Sequence, residues 1–154
     1  MSSELQSIRA FLRLREGIGT SGMPKPEHFS AIAKAGYRVV INLALPTSDN
    51  AMPNEGDLVA REGMTYLQIP VLFDRPQAED YDRFEKVMNA LYGTAVFVHC
   101  AANMRVSAFL FLYRLRSNGA NRTEAEDDLR KIWEPDPIWK AFINAHLPPG
   151  DAPL

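Results

Sequence analysis

One cysteine, Cys100, lies in the run VFVHCAANMRVSAFLF (residues 96–111), with His99 before it and Arg105 after four intervening residues. A thiol attacks as its thiolate, a form favoured by nearby cations and by the N-terminal end of a helix. The apolar run before Cys100 reads as a strand and the run after it as a helix. The cysteine therefore falls where backbone N–H groups and the positive end of a helix dipole gather. Arg105 adds a permanent charge whose planar fork of donors fits the oxygens of phosphate or sulfate. The chemistry on offer is nucleophilic attack on an anionic centre held by the loop. The plain alternative is a small apolar side chain filling a core, the usual fate of an isolated cysteine.

The elements that must position this loop follow from hydrophobic spacing. Residues 95–98 (AVFV) are a short buried strand, and the almost unbroken apolar stretch 106–115 is a central helix buried on most of its surface. Further strands are expected at 18–21, 37–45 and 64–71, and helices at 4–12, 26–35, 54–62, 77–91, 123–133 and 137–146. Pro26 and Pro137 suit first helical turns, Gly36 a left-handed helix end, Asn54 an N-cap, and Thr123 with Glu126 a capping box. The polar stretch PTSDNAMPNEG (46–56) is a surface loop rather than a domain boundary. This alternation implies an α/β fold, a central mostly parallel sheet flanked by helices. Cys100 then lies at the carboxyl end of a central strand, the edge where such sheets place ligand sites.

Composition narrows the function classes. With 154 residues, 46% of them hydrophobic, one domain with one core is expected over 1–150, followed by a frayed tail at 151–154 in PPGDAPL. The 17 basic and 19 acidic residues are interspersed, which leaves no electrostatic footprint for nucleic acid or for anionic membrane. One cysteine excludes an internal disulfide and a Cys-rich zinc site, and there is no paired-histidine motif or glycine-rich nucleotide fingerprint, so neither metal nor cofactor is expected. The start MSSELQSIRA lacks a basic segment followed by an apolar run, and no apolar run approaches the roughly 20 residues of a spanning helix. The expectation is a cytoplasmic protein of open oligomeric state. His28 and His146 lack metal-ligand spacing, EAEDDLRK reads as a solvated helix face, and Trp133, Trp139 and Phe142 read as C-terminal core.

The His99-Cys100 loop resembles the signature of the protein tyrosine and dual-specificity phosphatases: His-Cys, five residues, Arg, then Ser or Thr. Aligned without gaps, Asn103 replaces the usual glycine, Ser107 and Ala108 match, and Val106 takes the arginine position, with Arg105 one residue early. The Cys-x4-Arg spacing is similar to two other groups. One is the rhodanese-type sulfurtransferases. The other is a small bacterial group of phosphatase-fold proteins found beside or fused to sulfur enzymes, which SGMPKPEHFSAIAKAGYRVVINL (21–43) also resembles.

The resemblance implies a phosphatase-like fold and hydrolysis of phosphate monoesters through a cysteinyl-phosphate, with a phosphorylated molecule or small oxyanion as partner and no cofactor. Cys100 is the implied nucleophile. Arg105 and the loop residues His99, Ala101, Ala102, Asn103, Met104 and Ser107 are the implied anion cradle. His99 would orient the loop through backbone contacts, and Ser107 would bond the thiolate or cap the central helix. Asp74, in VLFDRPQAED, is the general-acid candidate or else an ordinary turn residue, and Asp80 is a second candidate better suited to a first helical turn. The displaced arginine implies weak turnover. Two alternatives stay open, sulfur transfer through a Cys100 persulfide and a silent oxyanion-binding module.

Overall fold

Short β-branched runs form the centre of the molecule. The computed structural model describes residues 3–15 and 17–154; Met1 and Ser2 of the expected domain, and Glu16, lie outside the described residues. The strands are β1 Leu12–Leu14, β2 Ile18–Ser21, β3 Val39–Asn42, β4 Thr65–Gln68 and β5 Val96–His99. They form one sheet in the order β1-β2-β5-β3-β4, antiparallel only between β1 and β2. β5 is central, and its last residue, His99, lies level with Ser21 on one side and Asn42 on the other.

Seven helices cover the sheet among the described residues: α1 Ser3–Gln6, α2 His28–Lys34, α3 Glu55–Arg61, α4 Ala78–Ala90, α5 Met104–Arg116, α6 Arg122–Ile132 and α7 Pro137–His146. Side chains alternate across a strand, so each strand feeds both faces. Val40 and Phe97 pack with α1, α2 and α3, whereas Ile41, Val96 and Val98 pack with α4 to α7. The single core expected from composition is therefore two layers divided by the sheet. α5 is the buried central helix, with Phe109, Leu110, Phe111 and Leu112 almost fully covered. Each such side chain contributes roughly 1.5–3 kcal/mol on burial.

Several boundaries differ from the expectation, each for a local reason. The first helix stops at Gln6, and residues 12–14 pair with β2, Leu12 opposite Thr20, whose hydroxyl donates to the Leu12 carbonyl at 2.7 Å. Tertiary pairing overrides a weak helical pattern there. α2 begins at His28, two residues after Pro26, while Gly36 takes the left-handed φ of 101°. Asn54 flanks α3 without a side-chain cap. α6 is capped by Asn121, which accepts from the Glu124 N–H at 3.1 Å, rather than by Thr123. Pro137 opens α7 behind an Asp136 cap. The tail is docked, not frayed: Leu154 packs against the larger core layer and donates its N–H to Asn144 Oδ1 at 2.7 Å.

Candidate active site

Between the end of β5 and the start of α5 the chain must turn within four residues, and four hydrogen bonds fix how it does so. Asn103 adopts φ 65°, a left-handed conformation that asparagine enters more readily than most residues. Its buried amide donates to the Ala10 carbonyl at 2.8 Å and to the Thr20 hydroxyl at 3.0 Å. On the β2 side, the Cys100 N–H donates to the Ser21 carbonyl at 3.3 Å and the Met23 N–H to the Ala101 carbonyl at 3.1 Å. Gly22 lies so close that a Cβ there would stand 2.7 Å from the Ala101 oxygen, so a side chain is excluded. Past the turn, the first turn of α5 leaves N–H groups without intrahelical acceptors.

Behind the loop lies a closed polar network. His99 is fully buried; its Nδ1 donates to the Cys100 carbonyl at 3.2 Å, and its Nε2 meets Glu55 Oε2. The other Glu55 oxygen accepts from the Asn42 amide at 3.2 Å and the Tyr66 hydroxyl at 3.4 Å. Burial pushes the Tyr66 phenol up to about 12, with Glu55 adding to the effect, so Tyr66 keeps its proton as a donor. Asn42 Oδ1 in turn accepts from the Ala44 N–H at 2.8 Å. Carboxylate, imidazole, amide and phenol thus tie α3, β3 and β4 to the carbonyl of the cysteine.

In front of the loop the arrangement is open. Cys100 itself is 1% exposed and belongs to the core layer beneath α5. Beside it a cleft of about 570 Å³ is lined by Ala101, Arg105, Phe73 and Asp74, and by Arg9 and residues of the 45–50 loop. Arg105, 6% exposed, donates from Nη1 to the Val71 carbonyl at 2.8 Å and lies 5.8 Å from the centre of the Phe73 ring. Its Nε has no hydrogen-bond partner. The exposed Asp74 stands at the rim, on a turn held through Phe73. The Phe73 carbonyl accepts from the Trp139 indole at 2.7 Å, and its ring packs against Trp133 and Trp139.

The structure therefore brings Arg105, Ala101 and Asp74 to one cleft, with Cys100 buried next to it and His99 behind it. Ala102 and Met104 are half-buried along the same turn. Ser107 is engaged elsewhere, donating to the Met104 carbonyl at 2.8 Å and accepting from the Trp133 indole at 3.0 Å. Asp80 closes a capping box with Gln77, its carboxylate accepting the Gln77 N–H at 2.9 Å. Among the described residues, no three or more His, Cys, Asp or Glu gather into a set able to hold a metal ion, and no helix is long and apolar enough to cross a membrane. Sequence reading missed Glu55, Arg9 and the clamp formed by Trp139. Only the last carried a signal, since a buried indole N–H requires an acceptor.

No family model matches the chain. In solved structures it is 38% identical to a DUF442 phosphatase candidate from Shewanella putrefaciens CN-32, over 92% of this chain and 90% of that one, with a TM-score of 0.80. The chain belongs to the DUF442 family. More distant likenesses to this DUF442 chain lie among cysteine-based phosphatases. The catalytic core of the Saccharomyces cerevisiae PP-IP phosphatase SIW14, solved with citrate, is 15% identical, covering 90% of this chain and 86% of its own, with a TM-score of 0.73. TpbA of Pseudomonas aeruginosa, solved with phosphotyrosine, is 16% identical over 78% and 71% of the two chains, with a TM-score of 0.63. At those identities the likeness concerns the fold, which is that of the cysteine-based phosphatases. The DUF442 chain is also 28% identical, over 116 residues, to the beta-lactamase hydrolase-like protein of Xylella fastidiosa, matching 73% of this chain but spanning only 27% of that relative's length.

Proposed function

We propose that the protein is a phosphatase that hydrolyses phosphate monoesters through a cysteinyl-phosphate. The observation that carries this reading is Arg105. Its guanidinium is buried beside a cleft at the N-terminal end of α5, with one nitrogen spent on a backbone carbonyl and Nε left without an acceptor. A buried unsatisfied donor costs about 1–3 kcal/mol, and a bound oxyanion is the acceptor that would offset it. The solved relatives holding phosphotyrosine and citrate carry anionic ligands in the same fold.

In the reaction, the Cys100 thiolate forms an S–P bond as the P–O bond to the leaving group breaks. Asp74 supplies a proton to the departing oxygen. Water then attacks phosphorus, Asp74 takes its proton back, and release of phosphate restores the thiolate. Arg105 and the first-turn N–H groups of α5 stabilise the equatorial oxygens in both steps. His99 holds the Cys100 carbonyl and takes no part in proton transfer.

The test compares an alkyl with an activated aryl phosphate. Asp74→Asn should reduce alkyl phosphate turnover by about 10²- to 10⁴-fold and aryl phosphate turnover much less, and Cys100→Ser should abolish both. A protein that hydrolyses neither ester, yet forms thiocyanate from thiosulfate and cyanide in a Cys100-dependent way, would be a sulfurtransferase. Expulsion of sulfite needs no proton, so Asp74→Asn would leave that activity nearly intact.

A further inference from the structure

Arg105 is not the only cation on the cleft. We propose that Arg9 binds a second anionic group of the substrate, so that the preferred esters are phosphate monoesters bearing another phosphate or carboxylate. This deepens, and rests on, the phosphatase reading.

Arg9 is exposed and lines the same cleft as Ala101 and Arg105. Most arginines of the chain face a carboxylate: Arg15, Arg61, Arg83, Arg114, Arg116, Arg122 and Arg130 each lie within 3.7 Å of one. Among the described residues Arg9 makes no such pair, although Asp49 and Asp74 border the same cleft. Its charge is held at the site and left uncommitted.

The segment that presents it is fastened to the anion loop itself. The Gly22 N–H donates to the Arg9 carbonyl at 2.7 Å, and Asn103, from within the loop, donates to the Ala10 carbonyl at 2.8 Å. Ala10 pays for this with φ 52°, a conformation disfavoured for any residue with a Cβ. A strained backbone retained next to a candidate site points to a constraint from function. The constraint satisfied here is the placement of Arg9. The same cleft is also lined by Thr47, Ser48 and Asn50, polar groups suited to the body of a hydrophilic ester, and its volume of about 570 Å³ exceeds the needs of one phosphoryl group.

The experiment uses the full chain with Cys100→Ser, so that esters bind without turnover. Phenyl phosphate, 3-carboxyphenyl phosphate and benzene-1,3-diyl bisphosphate are titrated by calorimetry. The two esters with a second anionic group should bind about tenfold tighter than phenyl phosphate, a preference that rising salt erodes. Adding Arg9→Ala should remove that preference while changing phenyl phosphate affinity less than about twofold; Arg9→Lys should keep part of it, and Arg9→Glu should invert it. A preference confined to the bisphosphate identifies phosphate as the second group, and one shared by both identifies anions in general.

Equal affinity for all three esters, binding of none, or an Arg9→Ala loss that is the same for all would overturn the proposal. Hydrolysis by the protein with Cys100 intact is scored separately. Absence of turnover sinks the phosphatase reading even if the Arg9 preference stands, and turnover of phenyl phosphate without any preference sinks only the role of Arg9.

Discussion

His99 and Cys100 are neighbours in the chain and face opposite sides of the sheet. Behind the loop, His99, Glu55, Asn42 and Tyr66 satisfy one another and the Cys100 carbonyl in a closed set of hydrogen bonds. In front, Arg105 keeps an unpartnered Nε next to a cleft, and the acid at the rim, Asp74, is exposed. Stability is invested on the side that no ligand reaches, and unmet bonding capacity is kept on the side that one can. The loop is anchored through its back and borders an open cleft at its front.

If that division is real, variants on the two sides should fail differently. Glu55→Leu should cost the most stability, about 3–5 kcal/mol, because it strands His99 and two further donors in a buried site. Chemical denaturation would measure it. A loss under about 1 kcal/mol would mean that the network is ornamental. Glu55→Gln, which retains hydrogen bonding, should recover much of the loss.

Arg105→Ala should do the reverse. Phosphate affinity should fall by roughly 1.5–3 kcal/mol, the range for hydrogen bonds to charged groups, with a much smaller effect on unfolding. Equal losses of stability and affinity would erase the distinction between the two sides. The smallest effect belongs to the clamp between them. Trp139→Phe removes the indole donor to the Phe73 carbonyl but keeps most of the ring packing, at a cost near 1 kcal/mol. It should lower turnover of alkyl phosphates more than that of aryl phosphates, since it loosens the turn that carries Asp74. A variant that affects both esters alike would show that the clamp does not position the acid.

Much of this architecture was legible because the decisive patterns are local. The runs at 95–98 and 106–115 are apolar enough to admit little but a buried strand and a buried helix, and Asn103 sits where a left-handed residue is needed. What escaped depends on distant partners. β1 is three residues long and exists through its pairing with β2. Glu55 looks like any acid in the first turn of a helix until His99 arrives from 44 residues away. The Thr123 pattern yielded to Asn121 because both residues can cap, and the backbone extends at Asn121, where φ is −63° and ψ 129°.

The central position of β5 also governs how the protein must come into being. β2 and β3 are not paired with each other; each is joined to the sheet's middle through β5, with Ile18 and Val39 both opposite Val96. A growing chain in which residues 96–99 have not yet emerged can hold the β1–β2 hairpin and the β3–β4 pair, but not the sheet. Both fragments would expose apolar faces and open edges, the features that invite aggregation and chaperone capture. These long-range pairings also make closure slow relative to helix formation. The strand that delivers the cysteine is thus the keystone of assembly, and a nascent chain acquires its fold and its cysteine loop in the same step.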